Sequence, residues 1–222
     1  MVKKMNFDKQ FKNYDQNAVT QKKVAKKLLT FIDKSKKYDT ILELGCGTGI
    51  FTKTLCENLN FTHLDLNDIF NTQDFFSNIS YRDFFVENME TLTIKNYSLI
   101  VSSSAFQWVE NLENLIYKTS KNTSHLVFSI YSKGNLVEIF NHFGVSLDYK
   151  STEEIYQILK KYYTFVEFQE DEFTLEFSTP LKALKHLKET GVTGFSSSNY
   201  SLTKSFKSTV LTYKVSYFSC KN

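Results

Sequence analysis

The sequence predicts an α/β fold, a doubly wound and mostly parallel sheet of seven strands within one domain covering residues 1–222. Three observations predict it. Ile41-Leu42-Glu43-Leu44-Gly45-Cys46-Gly47-Thr48-Gly49-Ile50 is an apolar run ending in an acid, then glycines at alternate positions, then an amphipathic segment: strand, tight turn, helix. Short apolar runs bounded by polar turns recur behind it, alternating with helical patterns as in a wound sheet. A chain of 222 residues is long enough to bury a full core in one domain.

Residues 6–33 read as an N-terminal arm, with Phe7, Phe11 and Tyr14 ahead of an amphipathic helix over 18–33. Val24, Leu28 and Phe31 line its apolar face, and Lys22, Lys23, Lys26 and Lys27 its wet face. Tyr14 and Gln21 stand where such an arm folds over a ligand, by analogy with other sites of this kind.

The glycine turn is where that ligand should sit, because it lets a ligand approach the backbone beside helix N-terminal amides. A dinucleotide fingerprint needs its third glycine where this chain has Ile50, so NAD is disfavoured. The Glu43 carboxylate would repel a pyrophosphate but suits an ammonium or sulfonium cation. S-adenosylmethionine (SAM) carries both cations, and Glu43, Gly45, Cys46, Gly47 and Gly49 are its candidate contacts.

A second strand over 61–65 ends at Asp65, about 20 residues past the glycines, where an acid accepts from a ribose diol. Asp65 and Leu66 are assigned to the ribose. Asp68 competes for that role, or else caps a helix over 69–77. A third strand from Phe84 leads to Asn88 and Met89, which the resemblance of the glycine turn to class I SAM-dependent methyltransferases implies lie at the adenine edge and face. The fourth, from Leu99 through Ser102, runs into a loop with Gln107 and Trp108 at the acceptor entrance. No proline precedes Pro180, so the Pro-Pro-aromatic loop of base methylation is absent.

A fifth strand covers 125–131 and a short helix 136–140. Ser151-Thr152-Glu153-Glu154 has capping-box spacing and opens a helix to about 161. A sixth strand spans 165–177. Thr179-Pro180 then opens a helix, with Leu181, Leu184 and Leu187 on one face. The last strand runs over 210–220, which makes residues 179–205 an insertion, a natural lid.

Composition bounds the partners. Hydrophobic content of 41% and charged content of 23% are ordinary, while 21 Phe and 13 Tyr are many. Arg82 is the only arginine, and a net charge of +3 with dispersed lysines argues against nucleic acid. No stretch is apolar enough to span a bilayer and the N-terminus lacks an apolar h-region, so no membrane partner and a cytoplasmic location are expected. The 3 cysteines and 4 histidines show no metal spacing, so no metal is expected.

Glu43-Leu-Gly-Cys-Gly-Thr-Gly resembles motif I of class I SAM-dependent methyltransferases, whose fold is Rossmann-like. A narrower resemblance covers nearly the whole chain. It rests on Phe7, Tyr14 and Gln21; on Ala105-Phe106-Gln107-Trp108 with Asn111-Leu112; and on Lys133-Gly134-Asn135-Leu136. His186-Leu187-Lys188-Glu189-Thr190-Gly191-Val192-Thr193 and Leu211-Thr212-Tyr213 complete it. Together these are similar to the malonyl-acyl-carrier-protein O-methyltransferases of biotin synthesis. Departures are Asn88 and Ser98, each where the family carries an acid, and a short 196–208 stretch.

The resemblance implies an antiparallel last strand and methyl transfer from SAM to the free carboxylate of a malonyl thioester, on acyl-carrier protein or coenzyme A. Tyr14, Gln107 and Lys188 would be catalytic, Lys188 as the cation that orients the carboxylate. Two rivals stand beside it: another carboxyl methyltransferase, similar to trans-aconitate methyltransferase, which would share everything from Tyr14 to Trp108 and differ in the lid, and a SAM-binding assembly factor or hydroxylase of a partner protein.

Overall fold

The computed structural model describes residues 18–190 and 200–222. Seven strands, β1 (Lys37–Leu44), β2 (Asn60–Asp68), β3 (Asp83–Val86), β4 (Leu99–Ser103), β5 (His125–Tyr131), β6 (Phe165–Glu176) and β7 (Val210–Lys221), form one sheet. Their order is β3-β2-β1-β4-β5-β7-β6. The first five pair in parallel, and β7 runs antiparallel to both β5 and β6.

Alternation along the central strands explains the two layers. Ile41 faces a core cluster containing Val24 and Leu28 of α1 (Val19–Leu28) and Phe51 and Leu55 of α2 (Ile50–Asn58). Leu42 and Leu44 face the opposite cluster, with Leu112, Leu115 and Ile116 of α3 (Leu112–Ser120) and Ile155 and Leu159 of α5 (Thr152–Leu159). The short α4 (Val137–Phe143) follows β5 and buries Ile139 in the first cluster. A sheet covered on both faces gives near-continuous apolar runs, as β1, β4 and β5 do.

Several elements end differently from the expectation. The first helix stops at Leu28 and closes with a 3₁₀ turn, Leu29–Phe31, whose Phe31 ring stacks on Tyr217 at 5.7 Å. β2 continues three residues past Asp65, to Asp68. The expected helix over 69–77 is only the 3₁₀ turn Gln73–Phe76. α3 is a helix beyond those the sequence predicts, and it has an N-cap: the Asn111 side chain accepts from the Asn114 amide at 2.9 Å. The capping box at Ser151 and Glu154 forms as the spacing requires.

Between β6 and β7 lie α6 (Pro180–Thr190) and α7 (Tyr200–Ser205), the insertion expected there. α6 buries Ala183, His186, Leu187 and Thr190. His186 Nε2 lies 3.1 Å from the Tyr213 hydroxyl, and its ring packs 5.1 Å from Phe177, so one helix face is fastened to β7.

Candidate functional site

The strand order reverses between β1 and β4, and a ligand crevice opens at the C-terminal ends of strands at such a switch. The glycine turn lies there. Gly45, Gly47 and Gly49 have φ of 71°, 54° and 82°, all left-handed. The amides of Gly45 and Cys46 donate to the Asn67 carbonyl at 2.8 and 2.9 Å, which curls the turn over the end of β2.

The glycines do different work. A Cβ on Gly45 would lie 2.4 Å from the Ala105 Cβ and 3.2 Å from Met89 Cε, so this glycine lets the β4 loop close on the turn. A Cβ on Gly49 would meet Phe76 at 2.8 Å. A Cβ on Gly47 would meet nothing within 4 Å, which leaves this side of the turn open to a ligand. Cys46 is a core residue with its amide spent on Asn67, and burial raises its thiol well above the usual range.

Glu43 is 1% exposed and accepts from the Thr52 hydroxyl at 2.7 Å. Burial pushes its carboxyl up to about 8, against the Thr52 hydrogen bond and with the nearby Asp68 charge adding to the rise. An unfolded glutamate loses its proton near pH 4.3, about four units lower. The folded protein therefore binds this proton more tightly. Stability from Glu43 is present at low pH and is lost as pH rises toward about 8. A ligand cation lodged beside it would reverse the burden and expel the proton. SAM uptake at pH 7 is thus expected to release protons, read by calorimetry as an enthalpy that differs between phosphate and Tris buffers. The difference should vanish in Glu43→Gln; an enthalpy independent of buffer in the unmodified protein would put the cation elsewhere.

Asp65 does not reach the crevice. It lies opposite Leu42, inside the strand, 1% exposed. Its Oδ1 accepts from Arg82 Nε at 2.9 Å, and its Oδ2 accepts from a second guanidinium nitrogen and from the Tyr97 hydroxyl. This network ties β2 to the segments entering β3 and β4. Leu66 is likewise a fully buried core residue. The acid at the strand end is Asp68: its Oδ2 accepts from the Gly47 amide at 2.8 Å and its Oδ1 from the Phe70 amide at 3.0 Å. Burial raises its carboxyl, with those amides opposing. Ile69, half exposed, follows it.

Past β3, Asn88 Oδ1 accepts from the Glu90 amide at 3.0 Å, a local turn that already engages the oxygen expected to face adenine. Accepting from an adenine amine would use its second lone pair, whereas a carboxylate can serve both donors. Asn88→Asp is therefore expected to bind SAM as well as or up to about tenfold more tightly, a charge-assisted bond exceeding a neutral one. Calorimetry showing tenfold weaker binding would move the adenine away from residue 88.

Ser102, expected beside the ligand, has its hydroxyl donating to the Leu44 carbonyl at 2.8 Å, which locks β4 to β1. Ser104 beyond it takes φ of 56°, with its amide donating to Ser129. Gln107 Nε2 donates to the Ser104 carbonyl at 2.5 Å. Its Oε1, like Gln21 Oε1 and Ser104 Oγ, is buried without a hydrogen-bond partner among the described residues. Buried acceptors left open in this way fit a ligand that brings N–H donors. The cation-complementary Glu43, the open side of Gly47 and these oxygens together suit SAM.

Lys188 faces outward on α6, because the buried face runs through 183, 186, 187 and 190. Its side chain is exposed in this structure. His186 takes the inward position, and burial lowers its pKa against the pull of Glu189. Tyr14 lies outside the described residues. No group of three or more metal-binding side chains occurs among the described residues, and no helix there is long and apolar enough to cross a membrane.

Comparison with known proteins bears on the family and the fold. A family described as methyltransferase domain matches residues 42–121. A malonyl-[acyl-carrier protein] O-methyltransferase of Calditerrivibrio nitroreducens is 35% identical over 198 residues, covering 86% of this chain and 80% of the relative. One of Bacteroides thetaiotaomicron is 30% identical, over 86% and 77%. Among solved structures, the N-methyltransferase NodS of Bradyrhizobium japonicum, in complex with S-adenosylhomocysteine, matches with a TM-score of 0.60. It is 13% identical and covers 100% of this chain and 99% of its own. YcgJ of Bacillus subtilis matches with a TM-score of 0.66 at 9% identity, over 90% and 97%. At such identities these structures speak to the fold alone.

Proposed function

The chain belongs to the family of malonyl-[acyl-carrier protein] O-methyltransferases, and from that premise we propose that it methylates the free carboxylate of a malonyl thioester carried on acyl-carrier protein. The observation that carries the reading is the 35% identity along 86% of the chain, with the glycine turn set at the switch point. When bound, SAM supplies the methyl group and leaves as S-adenosylhomocysteine.

The residues present suit that chemistry. A malonyl carboxylate is ionised at neutral pH, so the enzyme needs no general base. Of the histidines around the sheet, His186 is engaged with Tyr213, and His125, its pKa pushed down by burial to about 4, lies beside Ser219. The turn and Asp68 would hold the ribose side, Glu43 the methionine ammonium, and Met89 one face of the adenine. Gln107, fixed by its bond to Ser104, would set one wall of the acceptor pocket. Alignment of three atoms in a dry pocket is then the main source of rate, worth up to about 7–11 kcal/mol in ideal cases.

With Lys188 outside, charge recognition of the substrate moves outward. Lys182, Lys185 and Lys188 are exposed together on α6 and would meet an acidic carrier protein. Mass spectrometry of malonyl-carrier incubated with the protein and SAM should show a gain of one methyl group. Malonyl-CoA and trans-aconitate run in parallel test the acceptor; methylation of trans-aconitate alone would favour the rival carboxyl methyltransferase.

A further inference from the structure

Lys118, in the last turn of α3, reaches away from its helix and into the loop that follows β3. Its Nζ donates to the carbonyls of Met89 at 3.0 Å, Glu90 at 3.0 Å and Leu92 at 2.6 Å. An ammonium has three N–H donors, so these three oxygens satisfy it completely. The same loop is held from its other side. Glu90 accepts from the amides of Glu110 and Asn111 at 3.0 and 2.9 Å, on the approach to α3. Asn88 closes it inside, accepting at its carbonyl from the amides of Thr91 and Leu92.

We propose that Lys118 is a positioning residue for the cofactor: by gathering three carbonyls on one ammonium it sets where the Met89 side chain stands against the glycine turn. Met89 Cε comes within 3.2 Å of the position a Gly45 Cβ would occupy, so the thioether bridges the loop and the turn. A wall built this way is pre-formed, and the adenine enters without having to order it. An apolar side chain at 118 would leave three carbonyls turned toward one another with no donor, and the loop would open to find water. A guanidinium would not replace the ammonium, since its planar fork does not converge on one point.

The inference rests on the reading that adenine lies against Met89, and its test does not need the acceptor. Lys118→Met is expected to weaken S-adenosylhomocysteine binding at least tenfold by calorimetry. Lys118→Gln, which keeps two N–H donors, should fall between it and the unmodified protein. In turnover with malonyl-carrier, the KM for SAM should rise in step while kcat stays within threefold. S-adenosylhomocysteine affinity within twofold of the unmodified protein in Lys118→Met would overturn the proposal. A fall in kcat with the KM for SAM unchanged would do the same, since it would make Lys118 a support of the fold. Failure of the unmodified protein to turn over malonyl-carrier would instead count against the acceptor assignment and leave the binding test intact.

Discussion

Gly47→Val is expected to leave the protein folded and unable to hold SAM. The Cβ would enter open space, so the steric cost to the empty protein is small. What remains is the left-handed backbone at φ of 54°, which costs an L-residue about 1–2 kcal/mol. A domain with roughly 5–15 kcal/mol of stability survives that. The two methyls would occupy the side of the turn left open for the ligand, and an affinity loss of more than about a hundredfold, near 3 kcal/mol, should follow. Circular dichroism and calorimetry on one sample separate the two effects. Gly45→Ala is the contrast. Its Cβ would collide with Ala105 at 2.4 Å, so the fold should suffer there before any ligand is added. Affinity within threefold for Gly47→Val would place the cofactor on another side of the turn.

The second large effect divides two acids only three residues apart. Asp68→Ala removes the acceptor for the Gly47 and Phe70 amides together with the carboxylate offered to a ribose. Bonds to charged groups contribute about 1.5–3 kcal/mol each, so SAM affinity should fall roughly a hundredfold. Arg82→Met should do the reverse. It leaves Asp65 buried with Tyr97 as its remaining partner in the network and costs stability, about 2 kcal/mol once the partial exposure of Arg82 is allowed for. Affinity of the folded protein should stay within threefold. Urea unfolding and calorimetry on both variants decide: lost binding in Arg82→Met with intact binding in Asp68→Ala would return the ribose to Asp65.

The same pair shows what a sequence can and cannot tell. Strand, turn and helix around Glu43 were legible because three left-handed positions in alternation leave little choice but glycine. The doubly wound, mostly parallel sheet followed from the alternation of short apolar runs with amphipathic helices. Where β2 ends was not legible. Asp65 sits at the usual distance from the glycines, but nothing local shows that an arginine 17 positions later and a tyrosine 32 positions later bond to it inside the sheet. The lid helix shows a related limit. The helix was plain, but which of its faces is buried depends on Tyr213 and Phe177, and these placed His186 inward. α3 was hidden because its N-cap asparagine sits in a polar stretch and its apolar positions number only a few.

The position of β7 has a consequence for how the chain is made. β7 slots between β5 and β6, pairing with β6 along its whole length and with β5 from Val215 to Lys221, and it comes later in the chain than either neighbour. During synthesis β6 is therefore finished and exposed while the strand that must pair with it is still to come. Such a waiting strand invites pairing with other nascent chains. β6 carries Glu167, Glu170, Asp171, Glu172 and Glu176 among its phenylalanines. A strand so densely acidic repels copies of itself, which protects it on the ribosome until residues 210–221 arrive to close the sheet.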